Sequence, residues 1–252
     1  MRRPKAKTPI VLLAIGSALL GCGTTRGSRD AAYLRGVDAF RAGHCDDAYE
    51  SLVAYQRAAC SSGTAGAGCQ YAMWMKVQCD LMNDRPARAV VDSDQWAALG
   101  SPRPELDPPL PALREQAMTA LAARWETPDR PAKLIVTFRD DTGGRYAVES
   151  VSVAVDLFPP SGMPAADSGE ATILQADLPS GDHFVTLAAR FSGKLRDARF
   201  NMTKRSAQPF LSKPGDVIRV SARAYLRDDL PLGAPPELLA IDFEVTPASA
   251  KP

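Results

Sequence analysis

The feature that most constrains this chain is a change of hydrophobic period between residues 126 and 132. Before it, apolar residues recur at three- and four-residue spacings, as on helices. After it they alternate, as on strands. Residues 31–42 place Leu34, Val37, Ala39 and Phe40 on one stripe, and Gly43-His44 ends it. Asp46 and Asp47 then suit the positive N-terminal end of a second helix, whose apolar set is Ala48, Leu52, Tyr55 and Ala59. A Gly/Ser/Ala loop over 61–68 leads to a third helix over 70–81 with Met73, Trp74 and Val77. Asn83-Asp84-Arg85 reads as a turn, and Pro86 fits the first turn of a fourth helix continuing through Ala89, Val90 and Trp96. Five prolines in 100–111 make a stiff, extended connector. A last helix over 111–125 is followed by the Pro-bearing break at 127–131.

Beyond the break, 134–138 is a β-rich run and 146–157 alternates around Val148, Val151, Val153 and Val155. Runs at 171–178, 183–191, 216–226 and 238–245 follow in the same style. Six or seven short strands separated by turn residues predict an all-β sandwich. Asp141-Thr142-Gly143-Gly144 reads as a hairpin turn, with glycine supplying positive φ. Two loops stand out: a Pro/Gly/Ser stretch at 159–169, and a Lys/Arg-bearing one from Ser192-Gly193 to Lys204. Loops of this kind are where a sandwich carries binding function. The expected fold class is therefore α+β in two domains, a helical hairpin domain over 30–126 followed by a β-sandwich over 132–247.

The first 21 residues read as a leader. Arg2, Arg3, Lys5 and Lys7 precede an apolar run over 10–20. This is the order of a secretory signal peptide, and the run is too short to span a bilayer, which takes about 20 apolar residues. Leu19-Leu20-Gly21-Cys22 resembles the lipobox of bacterial lipoproteins. The resemblance implies cleavage before Cys22 and attachment of a diacylglycerol to its sulfur, so that 22–29 becomes a short lipidated tether. Gly23 is not the Asp that resembles an inner-membrane retention signal, which favours the outer membrane, at its periplasmic face or the cell surface.

The helical segment resembles a tetratricopeptide repeat. Gly36 and Ala48 lie 12 residues apart, like the repeat's small positions, and the stretch from Asp46 to Leu52 is similar to the opening of its second helix. A generic pair of αα-hairpins explains the same residues. Solenoids need three or more repeats, and the helix over 111–125 is the candidate cap. The turn Leu178-Pro179-Ser180-Gly181-Asp182-His183, followed by Val185 and Leu187, is similar to surface β-domains of the PEGA type.

Cys22 being claimed by lipid, Cys45, Cys60, Cys69 and Cys79 remain. An even number in an exported chain points to disulfides, with free thiols the alternative. Their spacing lacks the close Cys-x-x-Cys pairs of zinc sites, so no metal or cofactor is expected. Antiparallel second and third helices put Cys60 opposite Cys69 across their loop. Cys45 and Cys79 lie near the other end, giving nested bridges Cys60–Cys69 and Cys45–Cys79. The helical spans of the two arms differ by about 7 Å at roughly 1.5 Å per residue, a difference that a tilted crossing, or Cys45 lying in the turn, must absorb for the outer bridge to close.

Chemistry in the chain is sparse. Without the leader there are 26 basic and 29 acidic residues, no footprint for nucleic acid. Export argues against nucleotide chemistry. Asp141-Thr142-Gly143 matches an aspartic-protease triplet, but those enzymes need two such carboxylates and the chain has one copy. His44 and His183 belong to no metal or nucleophile motif. Trp74, Trp96 and Trp125 are expected in cores. The chain reads as a non-enzymatic envelope lipoprotein, its partners the bilayer through Cys22 and an envelope protein. The rival reading is a cell-wall or glycan binder, which requires exposed aromatics among Tyr146, Phe158, Phe191, Phe200, Phe210 and Tyr225.

Overall fold

The computed structural model describes residues 21–60, 66–98, 105–126, 131–158, 161–164, 170–195, 198–227 and 238–248. Among these residues five helices precede eight strands: α1 (Gly21–Arg41), α2 (Cys45–Ala59), α3 (Ala67–Met82), α4 (Pro86–Ala98) and α5 (Leu110–Glu126). They are followed by β1 (Ala132–Asp141), β2 (Ala147–Val155), β3 (Ser161–Pro164), β4 (Ala171–Leu178), β5 (Gly181–Leu195), β6 (Ala198–Ser212), β7 (Val217–Leu226) and β8 (Leu239–Ala248). Leu19 and Leu20 of the lipobox lie outside the described residues. Cys22 falls in the first turn of α1, and the backbone over 22–29 is helical.

The helices stack as hairpins. A Cβ on Gly36 would sit 2.7 Å from the Leu52 side chain, so the glycine sets how closely α1 and α2 approach. The two hairpin turns are built alike. Ala42 N–H donates to Asp38, Gly43 to Phe40, His44 to Ala39 and Ala48 to His44, at 2.9–3.0 Å. Asn83 donates to Cys79, Asp84 to Leu81, Arg85 to Asp80 and Ala89 to Arg85. Every bond of the second turn is the first turn's moved on by 41 residues. The left-handed residues Gly43 (φ 76°) and Asp84 (φ 53°) obey the same shift, as do Ala48 and Ala89, both fully buried.

The strands form two four-stranded sheets, ordered β4-β1-β7-β8 and β3-β2-β5-β6. β1 and β7 pair in parallel, and the other neighbours are antiparallel. Side chains of both sheets share buried clusters, as Phe138, Ala222 and Ile241 do with Val151, Leu187 and Phe191. Two expectations are corrected. Gly143 and Gly144 take positive φ as expected, but the turn joins β1 of one sheet to β2 of the other, so it is a corner rather than a hairpin. The Lys/Arg-bearing stretch is not a loop: most of it belongs to the β5–β6 ladder, which pairs Gly181 with Ser212 and continues to Leu195 with Ala198. Gly193 makes this possible, since a Cβ there would lie 2.7 Å from the Phe200 ring and 2.8 Å from Tyr146. Those rings meet edge-on beneath it.

Candidate functional site at the domain junction

The two halves meet where α4 lies on the outer face of β5 and β6 and the last turn of α5 reaches the β core. Phe184 points outward from its sheet and joins the helical core with Val90, Leu113 and Leu121. Trp125 of α5 packs instead into the β core beside Val155, Leu178 and Phe210. Each half thus completes the other's core with one aromatic side chain.

Polar groups pin this exchange. Asp156, fully buried at its side chain and in a left-handed turn (φ 49°), accepts three hydrogen bonds. They come from Trp125 Nε1 at 3.0 Å, His183 Nδ1 at 2.7 Å and the Phe184 N–H at 2.9 Å. His183 Nε2 lies 2.8 Å from the Pro179 carbonyl. Both ring nitrogens therefore face oxygen acceptors, and neither is left for catalysis. Ser212 donates to the same Pro179 carbonyl at 3.1 Å rather than to the imidazole. Asp156, His183 and Ser212 are neighbours, yet they form a brace and not a catalytic triad.

Asp182, at the start of β5, caps α4. Its carboxylate takes the Arg88 N–H at 3.1 Å and the Ala87 N–H, two of the free donors that every helix N-terminus leaves. Burial pushes the Asp182 carboxyl above its ordinary range, opposed by these N–H groups and by the Arg124 guanidinium. The junction borders a groove of about 510 Å³ edged by Tyr49, Glu50, Arg88, Phe210 and Leu211. Leu211 is 64% exposed there.

Behind Tyr49 lies a buried polar cluster. Lys76 Nζ donates to Gln56 at 2.8 Å and pairs with Asp92 at 3.2 Å. Tyr49 donates to the same Asp92 at 3.0 Å. Lys76 and Arg88 stand over the Tyr49 ring, at 5.0 and 5.1 Å from its centre. Burial, and after it the charge of Asp92, lift the Asp80 carboxyl to about 9.

The residues singled out from sequence are scattered. Cys60 and Cys69 are bonded, with Cα atoms 5.8 Å apart. Cys45 and Cys79 are buried free thiols in one cluster, so the outer of the two expected bridges is not formed here. Cys45 Sγ lies 3.7 Å from Met82 Sδ, and burial, with the Cys45 neighbour, raises the Cys79 thiol. Cys45 opens α2 directly after the turn. Trp96 is fully buried and bonded to Gln70. Trp74 donates to the Pro108 carbonyl at 3.1 Å, holding the proline connector against α3. His44 is exposed.

Sequence reasoning missed the junction itself: Asp156, Asp182 and Phe184 were not distinguished from other strand-end residues. The one local signal was the Pro179-Ser180-Gly181 turn, where Gly181 takes φ 134° against Arg124. No protein family, curated protein or solved structure matches this chain.

Proposed function

We propose that the chain is an envelope lipoprotein, acylated at Cys22 and held at the outer membrane, that works by protein–protein contact as an assembly-accessory subunit. The observation that carries this reading is the duplicated hairpin: two helix pairs whose turns repeat bond for bond at a 41-residue shift. They read as two tetratricopeptide-like units, with α5 as the opening helix and cap of the stack. Stacked helix pairs of this kind offer extended surfaces to partner segments. The β half reads as a sandwich, two sheets over common buried clusters, and braces the helical unit. The groove bordered by both domains, with Leu211 exposed on its rim, is the proposed docking place.

The glycan-binding alternative is less supported. Tyr146, Phe191 and Phe210 are buried, Phe200 packs on Tyr146, and exposed Phe158 lies edge-on against Trp125. A photoreactive residue replacing Leu211 in the native envelope tests the two readings. A discrete protein adduct supports docking. Attachment to cell-wall material alone, or to nothing, refutes it. Intact mass of the membrane-extracted protein tests acylation separately, since the reading requires a lipidated residue 22 at the N-terminus.

A further inference from the structure

We propose that the open part of the outer face of the β3-β2-β5-β6 sheet lies on anionic phospholipid headgroups. In β5, Val185, Leu187, Ala189 and Phe191 point inward, so Arg190, Ser192 and Lys194 point outward. Their ladder partners Thr203, Asn201 and Arg199 share that face, and Arg205 joins it opposite Ala188. The basic residues are Arg190, Lys194, Arg199 and Arg205. The acidic one among the described residues is Glu149, 2.8 Å from Arg190. Lys194, Arg199 and Arg205 have no ion pair among the described residues. A face carrying these cations, interspersed with the Ser192 and Thr203 hydroxyls and the Asn201 amide, complements a sheet of phosphates.

The lipid anchor proposed at Cys22 favours a membrane over a soluble anion as the partner of this patch. Phe184 and Ala207 lie lower on the same outer face and are covered by the helical domain. A lipid anchor holds the chain beside a bilayer, where a basic face adds an electrostatic contact with anionic headgroups. The inference depends on the lipoprotein reading for which membrane is touched, but its test does not.

The probe is the full chain with Cys22→Ser, unacylated and without partner proteins. It is titrated with phosphatidylcholine vesicles carrying phosphatidylglycerol and with phosphatidylcholine alone, at low and high salt. Binding is expected to the anionic vesicles only, and to weaken with salt. The triple variant Lys194→Gln, Arg199→Gln, Arg205→Gln should bind roughly a hundred-fold more weakly, from about 1 kcal/mol per charge. The equally charged control Arg139→Gln, Arg219→Gln, Arg223→Gln, on the other sheet, should bind as the parent does. Arg199→Lys, Arg205→Lys should also retain binding, which separates charge from misfolding. No binding to anionic vesicles, equal loss in both triple variants, or retention only by a phosphorylated glycan would overturn the proposal. A failed vesicle assay leaves acylation and docking untouched.

Discussion

The two sheets of the β-domain have outer faces made from similar residue types and arranged differently. On the β4-β1-β7-β8 face, Arg139 pairs with Asp141 at 2.7 Å, Arg223 lies over Tyr225, and Asp242, Glu244 and Glu170 stand among the arginines. Charge is balanced within each neighbourhood, and the face is left to water. The β3-β2-β5-β6 face is divided instead. Its lower part carries Phe184 and Ala207 and is covered by α4 and α5, while its upper part carries unbalanced cations. The same pleat builds a solvated face, an interdomain core and a charged patch. What distinguishes them is which outward positions are apolar and which charges have neighbours of opposite sign.

The largest effects are expected where the covered face is broken. Phe184→Ala should cost about 3–5 kcal/mol in urea unfolding, the range for emptying a buried aromatic site. Trp125→Ala should cost at least as much, since Asp156 then also loses a donor. A fragment beginning at Pro131, which lacks both Trp125 and the helical cover over Phe184, should melt well below the full chain; an equal midpoint would show the junction to be dispensable. Asp182→Ala removes the cap of α4, and about 1–2 kcal/mol of lost stability is expected.

Asp80 sharpens the comparison through pH. Its carboxyl is raised from 3.8 to about 9, so the folded state holds a proton that the unfolded chain releases. The sign follows: stability from this group is fullest below about pH 4, falls as pH rises to about 9, and is level beyond. Asp80→Asn should flatten that decline in denaturation measured across the window. An unchanged slope would place the lifted proton elsewhere in the Lys76–Asp92 cluster. The smallest effect belongs to the balanced face, where Arg219→Gln should shift stability by less than about 0.5 kcal/mol.

Much of the architecture was legible because local pattern and final packing agree. The strand over 171–178 has the bounds read from alternation alone, and four helices begin within a few residues of their expected starts. β6 was hidden because it is an edge strand. Its inward positions include Lys204, Ser206 and Gln208, polar residues that a half-covered edge tolerates and that blur the alternation. The first turns of α1 were hidden for another reason: 21–30 have no apolar stripe at all. The junction was illegible in principle from local pattern, since Asp156, Asp182 and Trp125 come from three separate stretches and each looks ordinary within its own. The 41-residue shift was within reach, because Gly43 and Asp84, or Ala48 and Ala89, stand at that interval, but it is faint in side chains and plain only in backbone bonds.

The exchange of Trp125 and Phe184 also sets an order of events. A chain made from its N-terminus delivers all five helices before β5 exists. The helical half must then wait, its core short of one ring, until residue 184 has arrived. During that interval an apolar socket walled by Val90, Leu113 and Leu121 faces the surroundings, the stage at which such chains are most open to wrong association. Completion of the earlier domain is therefore timed by the synthesis of the later one.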